Sequence, residues 1–133
     1  MNSCINGAPL KWRAGEWLRE ILLADEDILE MVGEHIYPLN APEGTDGDFI
    51  TYSRLEYVRE YGQMGLYKDE AVIQVVIISD DYDRSLDIVE LVDAVLSGTH
   101  NADDGTTVTF KLQDSKELFE DLKFFQIIEF RVL

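Results

Sequence analysis

The chain has 133 residues, 46% of them hydrophobic and 11% aromatic, with a formal net charge of −16. This is enough for one domain that buries roughly two thirds of its unfolded surface, and it excludes a disordered chain. No apolar run reaches the ~20 residues of a membrane helix, no signal pattern opens the chain, and no Lys/Arg cluster offers to neutralise phosphates, so neither membrane nor nucleic acid is an expected partner.

Residues 1–9 (MNSCINGAP) read as a loose lead-in to a single domain spanning 1–133. From Leu10 the pattern turns helical, with Ala14, Trp17, Leu18, Ile21 and Leu22 on one face. ADEDILEMVG predicts a short second helix. Asp25 or Asp27 is expected to cap it, Ile28, Leu29 and Val32 to point inward, and Gly33 to end it. The stretch from Gly33 to Tyr52 reads as the crossing from helix to sheet, with Pro38 forcing Tyr37 out of helical geometry.

FITYSRLEYVREY (Phe49–Tyr61) has the β-branched and aromatic content of a strand. EAVIQVVIIS (Glu70–Ser79) is apolar on both alternating sets, so both of its faces are expected to be covered, one by helices and the other by a second subunit. SDDYDRSLDIVELVDAVLSG predicts a helix capped by Asp80, Asp81 or Asp83, with Ile88, Leu91, Val92 and Val95 buried and Gly98 as its stop. TTVTFKLQ and KFFQIIEFRVL predict two final strands, the second placing Phe124, Ile128, Phe130 and Val132 on one face. The order α-α-β-β-α-β-β implies an α+β domain: a mostly antiparallel four-stranded sheet with its helices on one face.

Reactive chemistry finds little support. HExxH, a P-loop and a Gly-rich dinucleotide turn are absent. The lone Cys4 cannot form an internal disulfide or a CxxC pair and reads as an inert thiol. His35 follows the second helix, where a structural role is expected, and His100 is placed in an exposed turn. NADDGT (Asn101–Thr106) lacks the alternate ligand spacing and closing Glu of a calcium loop. Glu43, Asp46 and Asp48 read as a solvated loop. No catalytic, metal or cofactor site is expected, and the chain is read as a non-enzyme. Contact surface is the stronger feature. Tyr57, Tyr61, Met64, Leu66 and Tyr67 lie on or beside a Gly-interrupted hairpin, and with Val72, Val76 and Ile78 they form the candidate subunit or partner interface.

LLADEDILEMVGEHIYPLNAPEG followed by FITY resembles the opening of the phage tail completion family, the tail terminators or tail-to-head joining proteins. The hydrophobic-Tyr-Pro step Ile36-Tyr37-Pro38 and the strand-Ser/Asp-helix run VVIISDDYDRSLDIVELVDAVL extend the resemblance over Leu10–Leu133. It departs at Asp48, where the pattern leads one to expect Pro, and in its acidity. The resemblance implies a virion protein of a phage or prophage, assembled in the bacterial cytoplasm. Such a protein forms a ring, commonly a hexamer, that stops tail-tube growth and joins tail to head. Its implied partners are itself, the tail-tube protein and a head-completion or connector protein. Two other classes fit the acidity and the sheet: an adaptor or inhibitor that mimics nucleic acid, and a small ligand-binding α+β domain.

Overall fold

A computed structural model describes residues 4–5, 8–9, 11–101 and 107–133. Two short strands, β1 (Cys4–Ile5) and β2 (Ala8–Pro9), pair antiparallel ahead of a 3-10 turn at Lys11–Arg13. Helices α1 (Ala14–Leu23) and α2 (Glu26–Val32) follow, then β3 (Ile36–Pro38), β4 (Phe49–Gly62) and β5 (Gly65–Ser79). The chain finishes with α3 (Tyr82–Leu96), β6 (Gly98–Asn101), β7 (Thr107–Glu120) and β8 (Lys123–Val132).

The expected four-stranded, mostly antiparallel sheet is incorrect. Six strands in the order β3-β4-β5-β8-β7-β6 form a mixed sheet that curls into a half-barrel with three helices, although the class remains α+β. Two additions make the difference. β3 pairs parallel to β4 through Ile36–Ile50, Tyr37–Thr51 and Pro38–Tyr52, and β6 pairs antiparallel to the start of β7. Both are short flanking strands, too brief to carry an alternating pattern of their own. β3 falls inside the segment read as a plain crossing; the Pro38 that ends helical geometry is equally at home at a sheet edge.

Local signals set the helices. The Asp25 carboxylate accepts from the Ile28 N–H at 3.0 Å, and Gly33 ends α2 at φ 61°. Leu29, expected inside, is 37% exposed, while Ile28 and Val32 are buried. At α3 no aspartate side chain caps the helix; the Ser79 hydroxyl accepts from the Asp81 N–H instead, at 3.1 Å. α1 approaches β4 so closely that a Cβ at Gly15 would stand 2.9 Å from the Tyr52 ring. A side chain there would push helix and strand apart.

The core lies between the helices and one face of the sheet. Ala71, Ile73, Val75 and Ile77 of β5 meet Leu18, Leu22, Ile28, Ile88, Val92 and Leu96 from the helices, and Phe110, Phe130 and Val132 extend it along the sheet. Each such aliphatic side chain contributes about 1.5–3 kcal/mol by leaving water. The outer face is graded. One cross-strand row is apolar, Phe49-Ile78-Phe125-Leu118, and the next is Thr51-Val76-Ile127-Lys116. Beyond these come Ser53-Gln74-Glu129-Asp114 and Glu56-Val72-Arg131-Lys111, which are mostly polar.

Two long hairpins dominate, and their turns point opposite ways along the sheet. β8 leaves β5 at the Ala71–Val132 pair, so residues 65–70 of β5 pair with β4 alone and form a projecting two-stranded ribbon. The β7–β8 turn, by contrast, lies near the Ser79 end of β5, where Phe124 pairs with Ser79. That turn puts Asp121 and Leu122 at φ 52° and 64°, the two-residue left-handed geometry that matches strand twist.

Candidate functional site

The residues that could carry chemistry are dispersed. His35 binds through its backbone: its N–H donates to the Val32 carbonyl at 3.2 Å, and its carbonyl accepts from the Ile50 N–H at 2.9 Å. His100, expected in an exposed turn, instead lies on β6, half-buried. Its Nε2 stands 2.7 Å from the Leu96 carbonyl oxygen, and its ring packs edge-on against Phe110. The side chain of Cys4 and residues 102–106 of the NADDGT turn fall outside the described residues. Among the described residues, no group of three or more His, Cys, Asp or Glu converges on a metal-sized site.

Asp48 is not the solvated loop carboxylate its surroundings suggested. It accepts from the Ser79 hydroxyl at 2.6 Å and from Arg84 Nε at 2.6 Å, with its side chain only 12% exposed. Arg84 also donates to the Met31 carbonyl at 3.3 Å. One carboxylate thus clamps the start of β4, the end of β5, α3 and, through the arginine, α2. Glu43 and Asp46 remain on the loop surface.

The eight candidate interface residues separate into three groups. Tyr57 is half-buried against its own chain: its ring meets Trp12 edge-on at 4.9 Å and its hydroxyl accepts from the Lys11 N–H at 3.2 Å. Burial, first, and the adjoining Asp69 carboxylate raise the Tyr57 pKa. Asp69 pairs with Lys11 Nζ through Oδ2 at 2.6 Å, and both side chains are nearly enclosed. Asp69 Oδ1 has no bonded partner. Tyr61 and Met64 are exposed at the ribbon's turn, Met64 almost wholly so; Leu66 and Tyr67 lie on β5 of that ribbon, their side chains outside the described part. Val72 and Val76 are half-buried on the outer face, whereas Ile78 is 3% exposed between Phe49 and Phe125.

Two open recesses flank the sheet. Beside β4, Trp12, Arg13, Leu39, Tyr52 and Arg54 line a shallow groove of about 460 Å³. The Arg54 and Arg59 guanidinium groups lie 4.9 and 5.6 Å from the Trp12 ring centre, and Arg54 also donates to the Trp12 carbonyl. Burial pushes the Tyr52 pKa up, with Arg19 opposing and Glu16 reinforcing the shift. Beside β7, Tyr82, Glu117, Phe119, Phe124 and Gln126 line a recess of about 290 Å³. Phe124 packs against Phe119 at 4.7 Å and Tyr82 at 5.4 Å, and the Tyr82 hydroxyl donates to both Glu117 oxygens at 3.1 Å. That bond is the main cause of a raised Tyr82 pKa. Neither recess was anticipated. The nearest sequence signal is the aromatic pair Phe119 and Phe124 about a charged turn, but Tyr82 joins it from a distant helix.

No family model matches the chain, and no curated protein matches it. Among solved structures, the chain is similar to one from the virion of a native gene transfer agent particle. The likeness covers 86% of this chain and 89% of that one, with a TM-score of 0.71 and 15% sequence identity. It establishes a shared fold.

Proposed function

We propose that this chain is a non-enzymatic virion component of a phage or phage-like particle, the subunit of a ring that ends the tail tube and joins it to the head. The observation that carries the reading is the near full-length likeness of fold to a virion chain, found independently of the sequence resemblance to tail terminators. The molecule's surfaces support it. The turns of its two long hairpins point opposite ways along the sheet, which suits a head-to-tail ring in which every subunit presents two unlike surfaces. Tail-tube and connector proteins are the proposed outer partners, and six copies the proposed ring.

The test is capping. The purified protein is added to growing tubes of the tail-tube protein from the same genetic element, and tube length and ends are followed by negative-stain microscopy. A ring at one end and arrested growth are expected. Tubes that lengthen at an unchanged rate with bare ends would sink the reading.

A further inference from the structure

The sheet ends in two open edges among the described residues. Among the described residues, β4 has no ladder partner beyond β5 once β3 stops at the Tyr52 pair, and β7 has none beyond β8 once β6 stops at the Phe110 pair. Residues 111–120 of β7 are all exposed. An open edge of this length is a template for another strand unless something blunts it. The six-strand order makes β7 run opposite to β4, so a second copy placed against β7 by its β4 edge continues the antiparallel alternation.

We infer that copies of this chain join head to tail by strand addition, the β7 edge of one pairing antiparallel with the β4 edge of the next. The occupant is a second copy because the two edges complement each other residue by residue. Glu117 and Phe119 lie on the helix side of β7, as do Tyr57 and Arg59 on β4; Leu118 and Val58 lie on the outer side. With Glu117 opposite Arg59, Leu118 faces Val58 and Phe119 faces Tyr57, a charge pair and two apolar pairs of the kind that stabilise ladders. Glu120 then faces Glu56, the one like-charged pair. A slip of two residues either way puts Leu118 against a carboxylate, Glu56 or Glu60, so the register is selected. In this register the Arg59 guanidinium, which lies over its own Trp12 and Tyr57 rings, comes opposite the Glu117 carboxylate.

This pairing rests on the ring reading only for closure; strand addition between two copies stands by itself. The test is sedimentation velocity on the full chain over a wide concentration range. Wild type is expected to self-associate, Arg59→Glu and Glu117→Arg each to weaken association at least about tenfold, and the double exchange to recover most of it; a tenfold loss corresponds to about 1.4 kcal/mol. Because Glu117 also accepts from Tyr82 and Gln126, Leu118→Lys provides a second block that leaves those bonds alone, with circular dichroism confirming the fold. A wild type that stays monomeric throughout overturns the inference, as do folded variants that associate as wild type does or an exchange that fails to recover. Tube capping is scored separately: association without capping removes the ring function and leaves the pairing, while capping by the unpaired variants removes the pairing and leaves the function.

Discussion

The β4–β5 and β7–β8 hairpins turn in opposite directions along one sheet, and they are fastened differently. The first is tied to the N-terminal turn by the enclosed Lys11–Asp69 pair and by Tyr57 under Trp12. The second is held at its far end by exposed polar contacts, Tyr82 to Glu117 and Lys123 to Asp80 at 2.8 Å. An enclosed ion pair is costly to break because the survivor is left charged without water, whereas exposed pairs contribute little. The comparison therefore predicts a rigid ribbon at one end of the sheet and an adaptable edge at the other, as expected of a surface that docks and one that receives.

The largest effect belongs to the residue both hairpins share. Phe130 is fully buried and pairs across to Ile73 and Leu112, so Phe130→Ala should cost about 3–5 kcal/mol in urea unfolding and loosen both hairpins together. Lys11→Met comes next and separates them. It strands Asp69 and should cost about 3 kcal/mol, with faster amide exchange in β4–β5 while β7–β8 is unchanged. If both regions exchange faster, the hairpins are not independently fastened.

Asp48→Ala should cost about 1–3 kcal/mol, because Ser79 and Arg84 lose a partly buried charged acceptor. Its effect should reach α2 and α3 before either hairpin turn, and amide exchange in those helices checks it. The smallest effect is at Tyr82. Its folded pKa is raised above the ordinary 10.0, so the folded state holds the phenol proton more tightly than the unfolded chain does. Any stability this gives is full below about pH 10 and falls as pH rises through the folded value. Tyr82→Phe should leave the unfolding midpoint nearly unchanged at pH 7 and shallow its decline above pH 10. A variant with the wild-type alkaline slope would assign that slope to Tyr52 or Tyr57, whose pKa values are also raised.

The core elements were legible because their patterns are long. The i, i+3, i+4 stripe of α1 and the inward alternate set of β5, Ala71, Ile73, Val75 and Ile77, both fall where the core is. The two short flanking strands were not, since Ile36–Pro38 and Gly98–Asn101 are held by neighbours and not by their own pattern. The TTVTFKLQ run marked the first half of β7, and its second half hid for another reason. Its register shifts between Leu112 and Asp114, so the side that receives Phe110 and Leu112 next receives Ser115, Glu117 and Phe119, and simple alternation fails there. A similar shift between Arg54 and Glu56 re-aims β4. The Asp48 clamp joins residues 31 and 36 positions apart, which spacing alone does not reveal.

The most direct test of two unlike, mutually fitting edges is a mixture. Arg59→Glu blocks the β4 edge and Leu118→Lys blocks the β7 edge, so each variant alone should sediment as a monomer. Mixed in equal amounts, they retain one intact pair of edges between them and should form a dimer that grows no further. A mixture that stays monomeric, or that reaches the same larger species as wild type, would contradict the account.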